Sequence, residues 1–132
     1  KQISDVVNNI MFDNNSQNSS PVMEMFQLIA INEFKGFEGV DNEIIILSDM
    51  IQNTSEMSMY QNGLISFSKF KKNNYFSKVR TNLSNNVVIK LFIIKRDGSR
   101  AMQEKKYFVN FWAQFFMNGN KAKDFKITFV DG

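Results

Sequence analysis

The stretch Glu43-Ile44-Ile45-Ile46-Leu47-Ser48-Asp49-Met50 decides how this chain is organised. Four consecutive apolar residues, three of them β-branched, end abruptly at a hydroxyl and a carboxylate. Such a continuous run is typical of a strand buried on both faces, as in a parallel sheet covered by helices. Ligands of open α/β sheets bind at the carboxyl ends of the strands, which is where Ser48 and Asp49 would lie.

Two further strands follow, near residues 87–94 and 125–130. The first is another apolar run, and the second alternates, which favours a half-buried strand at a sheet edge. Each crossover between strands contains a helical pattern, so the strands must be parallel with right-handed connections. We therefore expect a single α/β domain over residues 1–132, a Rossmann-like three-layer α/β/α sandwich. Helices should cover both faces of the sheet.

The helices are read from their apolar spacing. The clearest one carries aromatic residues at i, i+3, i+4, i+7 and i+8, namely Phe108, Phe111, Trp112, Phe115 and Phe116. Residues 64–83 indicate one broken helix or two short ones, and residues 2–12 suit one face of a short helix. A helix from Ser20-Pro21 to about residue 34 should begin with Ser20 as N-cap and proline at the first helical position.

Composition excludes several classes of site. The chain has neither cysteine nor histidine, which removes disulfides, thiolate or imidazole zinc sites and any Ser-His-Asp triad. A metal would have to be a hard cation held by oxygen. The net charge is +3, and the basic residues are scattered along the chain. Their densest group is interpreted as the solvated side of a helix; it consists of Lys69, Lys71, Lys72 and Lys78. We therefore expect no nucleic-acid partner.

No apolar run reaches membrane-spanning length and no signal peptide is visible, so no membrane insertion is expected. A soluble, cytoplasmic protein is favoured, although the absence of cysteine does not fix the compartment.

The order of several motifs resembles the C-terminal half of a von Willebrand factor A-type (vWA) domain, and more narrowly a bacterial group of vWA-like proteins of unassigned function. The motifs are Ser19-Ser20-Pro21 at a helix start, the strand ending in Ser48-Asp49, and Phe111-Trp112-Ala113-Gln114-Phe115-Phe116 before the last strand. The resemblance implies that the three strands lie in the spatial order 43–48, 87–94, 125–130. It further implies that strands preceding residue 1 are missing. It also implies that strand 43–48 is central, so that its other edge pairs with those strands or with a second copy in a homo-oligomer.

The family usually carries a metal-ion-dependent adhesion site, and the resemblance carries two of its ligands over to Ser20 and Asp49. The first family motif, Asp-x-Ser-x-Ser, is absent; Asp97-Gly98-Ser99 comes nearest, but it lacks the second serine and follows the wrong strand. The implied function is a non-enzymatic protein-interaction module in which a partner carboxylate completes the coordination of Mg²⁺ above Asp49.

Two alternatives stay open. A degenerate, metal-free domain could serve as a structural scaffold in a larger assembly. A metal-dependent hydrolase is the less supported alternative, because two-metal chemistry needs several converging carboxylates and the strand ends offer only Asp49, Asp97 and Asp131.

Overall fold

The computed structural model describes residues 19–33, 42–61 and 63–131. Its sheet contains three parallel strands in the order β1-β2-β3, with bounds β1 Asn42–Ser48, β2 Val87–Lys95 and β3 Asp124–Asp131. In the register, Ile44 lies opposite Ile89 and Ile46 opposite Leu91. The predicted α/β class, strand positions, spatial order and parallel pairing are confirmed.

Helices fill both crossovers and precede β1. Their bounds are α1 Val22–Glu33, α2 Phe67–Phe70, α3 Asn74–Val79, α4 Arg100–Gln103 and α5 Lys106–Gln114. A 3₁₀ turn, Asp97–Ser99, leads into α4, and α5 continues into a π-helical turn, Phe115–Gly119. The predicted helix at 2–12 lies outside the described residues. None of the helices in the described part of the chain is long and apolar enough to cross a membrane.

The core between the helices and the sheet is largely aromatic. Trp112 is fully buried, as predicted, and its ring centroid lies 5.3 Å from those of Phe111 and Phe115. Phe26 of α1 meets Phe116 edge-on at 4.9 Å, so the helix before β1 and the last helix share this layer. Edge-to-face pairs of this kind stabilise beyond the area they bury.

The described helices pack on one face of the sheet. This face carries Ile44, Ile46, Ile89, Leu91 and Ile93, all buried. Two right-handed crossovers that step in the same direction across a sheet place their helices on the same side. Helices were predicted on both faces, but this consequence of the strand order places the described helices on one face.

The opposite face is half-buried and carries Ile45, Leu47, Val88, Phe92 and Ile94. None of these five side chains belongs to the buried core or packs against it. The described residues thus form two layers, and the third layer of the α/β/α prediction stays a prediction.

Within the described residues β2 is the middle strand, whereas β1 forms an edge of the sheet. The central position that the resemblance implies for β1 is therefore not found in this part of the chain. The pairing of its other edge with further strands stays a prediction.

Candidate functional site

The carboxyl end of β1 is a tight, side-chain-stabilised turn. Ser48 Oγ accepts a hydrogen bond from the Met50 amide at 3.0 Å, and Asp49 Oδ1 accepts one from the Ile51 amide at 3.0 Å. Met50 between them is fully buried and has a φ of 57°, a left-handed conformation that non-glycine residues rarely adopt. Strained backbone of this type persists only where its surroundings hold it, and it concentrates at functional sites.

Two buried side chains hold this turn from beneath. Trp112 Nε1 donates to the Met50 carbonyl at 3.0 Å. Gln103, which is fully buried, donates through Nε2 to the carbonyls of Asp49 at 3.0 Å and Ile94 at 2.9 Å, while its Oε1 accepts from the Arg96 amide at 2.9 Å. One glutamine therefore ties together the carboxyl ends of β1 and β2. A buried amide that uses both its donor and acceptor groups fixes these ends firmly.

A second buried glutamine joins the same loop to α1. Gln52 Oε1 accepts from the Met23 amide at 2.9 Å in the first turn of the helix. Its Nε2 donates to Glu24 Oε1 at 3.1 Å and to the Tyr75 hydroxyl at 2.9 Å, and that hydroxyl also donates to Glu24 Oε2. The loop after β1 thus satisfies an amide at the N-terminus of α1 that would otherwise lack an intrahelical partner.

Charged and aromatic side chains lie on the surface beside the turn that Trp112 and Gln103 hold. Arg96 Nε donates to Asp49 Oδ2 at 3.2 Å, and the Ser99 amide donates to the Arg96 carbonyl at 2.9 Å. Ser99 Oγ also contacts the Tyr60 hydroxyl at 3.5 Å. Arg100 lies 3.5 Å from an oxygen of Asp131, at the end of β3. We call Asp49, Tyr60, Arg96, Ser99 and Arg100 the carboxyl-edge surface.

Three members of the carboxyl-edge surface are open to solvent: Tyr60 is 54% exposed, and the side chains of Arg96 and Arg100 are 61% and 39% exposed. Asp49 is more enclosed, with 19% of its side chain exposed. The segments that follow β1 and β2 therefore form this surface together, and Asp131 at the end of β3 borders it through Arg100, as expected for a parallel sheet.

The two predicted metal ligands are arranged differently from a metal site. Both oxygens of Asp49 already accept hydrogen bonds, one of them from a guanidinium whose positive charge opposes a cation there. Ser20 forms an antiparallel bridge with Asn53, with N···O distances of 2.8 and 3.0 Å. No hydrogen bond in the described part of the chain joins Ser20 to Asp49, and these residues contain no cluster of three acidic side chains that could hold a metal. As placed, the residues do not fit Mg²⁺, and ligation by Asp49 and Ser20 stays a prediction.

The cap of α1 also differs from the prediction. The helix begins at Val22, and the Pro21 carbonyl accepts the first helical hydrogen bond, from the Met25 amide at 3.0 Å. Gln52, from the distant loop, supplies the side-chain oxygen that the sequence analysis assigned to Ser20. Proline therefore occupies the cap position itself rather than the first helical position.

Gln52, Gln103 and Arg96 were not predicted from the sequence. A lone glutamine in a loop or a short helix has no periodic signal, because its importance comes from partners far along the chain. The only local clue was the polar segment after each strand. In comparisons with known proteins, no family model, no curated protein and no solved structure matches this chain.

Proposed function

We propose that this chain is a non-enzymatic, vWA-like protein-interaction module whose partner binds the carboxyl-edge surface. The observation that carries the proposal is the pair of exposed side chains Tyr60 and Arg96 beside the end of β1, which the buried Gln103 and Trp112 hold in place. Tyrosine and arginine are the residue types that most often dominate binding energy at protein interfaces. A rigid base lowers the entropy that such side chains lose when a partner binds.

The chemistry of the carboxyl-edge surface favours a partner that presents a carboxylate. Arg96 uses only Nε for Asp49 in the described contacts, and a guanidinium offers five N–H donors in a planar fork. Arg100 lies on the same side, 3.8 Å from Glu104 and 3.5 Å from Asp131. A partner carboxylate would bind the remaining N–H donors of Arg96, because a partly exposed ion pair such as Arg96–Asp49 contributes little on its own.

The metal-free form of the module is supported by the Arg96–Asp49 ion pair. In the Mg²⁺-dependent form, in which Asp49 and Ser20 are ligands, Arg96 has to leave Asp49 first. A Mg²⁺ titration monitored by thermal unfolding separates the two forms. The metal-free form predicts equal, small shifts of Tm for the wild type and for Asp49→Ala. Stabilisation of the wild type alone would support the Mg²⁺-dependent form instead.

The binding proposal is tested by quantitative affinity capture from cells that produce the protein, followed by binary affinity measurements. Arg96→Ala and Tyr60→Ala should each weaken binding of a captured protein by roughly 30-fold, the effect of losing about 2 kcal/mol at a hot spot. Lys72→Ala, which removes an exposed cation in the α2–α3 turn, is the matched control and should leave binding unchanged. Captured proteins that bind Arg96→Ala and Lys72→Ala equally well would rule out the carboxyl-edge surface as the binding site.

A further inference from the structure

Charge is distributed unevenly along this chain. Residues 1–56 contain nine acidic and two basic residues, whereas residues 57–132 contain four acidic and fourteen basic ones. The net charge of +3 is therefore the sum of two larger charges of opposite sign. Such asymmetry between the halves of a chain is typical of proteins that bind nucleic acid or a membrane surface.

The tertiary structure gathers part of the positive charge on the outer side of α2 and α3. The ring of Phe76 in α3 lies 5.5 Å from that of Phe67 and 5.6 Å from that of Phe70, both in α2, and all three are buried. Because both helices bury their aromatic side chains in one cluster, their exposed sides face solvent together. Basic residues occupy these exposed sides and the ends of the two helices: Lys69, Lys71, Lys72 and Arg80.

A further cation is added by the turn before β3. The Asn120 side-chain oxygen accepts a hydrogen bond from the Thr81 amide at 2.6 Å, and the Lys121 carbonyl accepts one from the Asn85 amide at 2.8 Å. The exposed Lys121 therefore lies beside the segment that follows Arg80. We call these five exposed cations the basic surface: Lys69, Lys71, Lys72, Arg80 and Lys121.

The basic surface lacks acidic partners within the chain. In residues 19–33, 42–61 and 63–131, none of its five side chains forms an ion pair. The residues outside these ranges contain four acidic and two basic side chains, too few to neutralise five clustered cations. Soluble surfaces usually intersperse both signs of charge. A surface of one sign is therefore suited to a partner with dense negative charge.

We propose that the basic surface binds the headgroups of a membrane that contains anionic phospholipids. Clusters of roughly four to eight lysine and arginine residues are attracted to such membranes. No large hydrophobic side chain is exposed in residues 63–86 or 115–123, which the structure describes in full. The contact therefore involves the headgroups alone, and charge holds the protein there without insertion into the bilayer.

The same residues disfavour nucleic acid as the partner. Proteins that bind single strands stack bases on accessible aromatic rings, whereas every phenylalanine and tyrosine in residues 63–86 and 115–123 is buried. Many proteins that read duplex DNA place a helix in the major groove, but α2 and α3 are only four and six residues long. A membrane presents a broad array of anionic groups and requires neither device.

Co-sedimentation of the chain with lipid vesicles tests the proposal. The protein should bind vesicles of phosphatidylserine and phosphatidylcholine in equal parts, and it should not bind vesicles of phosphatidylcholine alone. Raising the salt concentration from about 0.1 M to about 1 M shortens the range of electrostatic attraction from about 10 Å to about 3 Å and should release the protein. Binding to neither kind of vesicle, equal binding to both, or binding that survives high salt would overturn the proposal.

Two matched charge reversals test the position of the contact. Lys71→Glu reverses a cation of the basic surface, whereas Lys126→Glu reverses an exposed cation of β3 on the opposite face of the sheet, in register with Lys90 and Ile45. A cation beside an anionic bilayer raises affinity roughly fivefold, so Lys71→Glu, which also adds a repulsive charge, should weaken vesicle binding roughly 25-fold. Lys126→Glu should weaken it by less than about twofold. Both variants should keep the circular dichroism of the wild type, and equal weakening by the two would overturn the proposal.

Duplex DNA of random sequence tests the other source of dense negative charge. It should not displace the protein from vesicles when both are present at equal concentrations of charge. Displacement by the DNA would assign the basic surface to nucleic acid and overturn the proposal. The basic surface shares no residue with the carboxyl-edge surface, so either proposal can fail without the other. Lys72→Ala should accordingly weaken vesicle binding about fivefold and leave protein binding at the carboxyl-edge surface unchanged.

Discussion

Removing the indole of Trp112 should destabilise the fold in two separable ways. Its side chain is fully buried among Phe111, Phe115 and Phe116, and its Nε1 donates to the carbonyl of Met50. Trp112→Ala removes the packing and the hydrogen bond together, which should cost about 3–5 kcal/mol of unfolding free energy. Trp112→Phe keeps an aromatic ring but leaves the Met50 carbonyl without its indole donor, which should cost about 1–3 kcal/mol.

Urea unfolding followed by far-ultraviolet circular dichroism measures both costs. Fluorescence is unsuitable, because Trp112 is the only tryptophan and the variants lose it. The control is Tyr107→Ala, on the same helix but 46% exposed, which should change the unfolding free energy by about 0.5 kcal/mol or less. Since typical domains are stable by only about 5–15 kcal/mol, the Trp112→Ala shift should be readily measured.

Hydrogen exchange distinguishes the lost hydrogen bond from the lost packing. If the indole holds the turn after β1, Trp112→Phe should speed exchange at the amides of Met50 and Ile51, which donate to Ser48 and Asp49. Exchange elsewhere in β2 should change only by the global loss of stability. Equal destabilisation by Trp112→Ala and Tyr107→Ala, or unchanged exchange at these two amides in Trp112→Phe, would refute the reasoning.

Two further substitutions test the backbone and the polar interior. Gln103→Leu leaves the Asp49 and Ile94 carbonyls and the Arg96 amide without their partner, so it should lower the unfolding free energy measured in urea by on the order of 2–4 kcal/mol. The control Gln114→Leu, on the exposed side of α5, should change it very little. Equal effects of the two substitutions would contradict the role of Gln103. Ser84→Gly should leave the protein equally stable or stabilise it by up to about 1 kcal/mol, because Ser84 is exposed and has a φ of 55°, which glycine adopts without strain. The control Ser68→Gly, on the exposed side of α2, should destabilise the protein. A clear loss of thermal stability for Ser84→Gly would show that the φ of Ser84 carries no strain.

Much of the fold could be predicted from the sequence, because the relevant signals are local. The runs at 43–48 and 87–94 and the alternation at 125–130 identify the strands, and the helical segments between them require parallel pairing. The spacing of Phe108, Phe111 and Trp112 identifies the buried side of α5. In each case a repeat within about ten residues reports directly on which side of an element is buried.

Less of the candidate site could be predicted. The end of β1 at Ser48 and Asp49 was located correctly, since a parallel sheet brings its carboxyl ends to one edge. The side chain that pairs with Asp49 was not predicted, because Arg96 lies 47 residues further along the chain and belongs to a turn with no distinctive pattern. The resemblance pointed to Mg²⁺, whereas the described contacts of Asp49 are with Arg96 and the Ile51 amide.

The sequence by itself determined the strands, their parallel direction and the apolar side of the main helices. Only the tertiary structure decided that the described helices share one face and that Met50 is held at a positive φ. It alone also decided that Gln52 reaches Glu24, 28 residues away, and that Gln103 reaches Asp49, 54 residues away. The reason is physical: burial repeats with the period of a helix or strand and can be read locally. A buried hydrogen bond depends on the meeting of two groups that only the folded chain brings together.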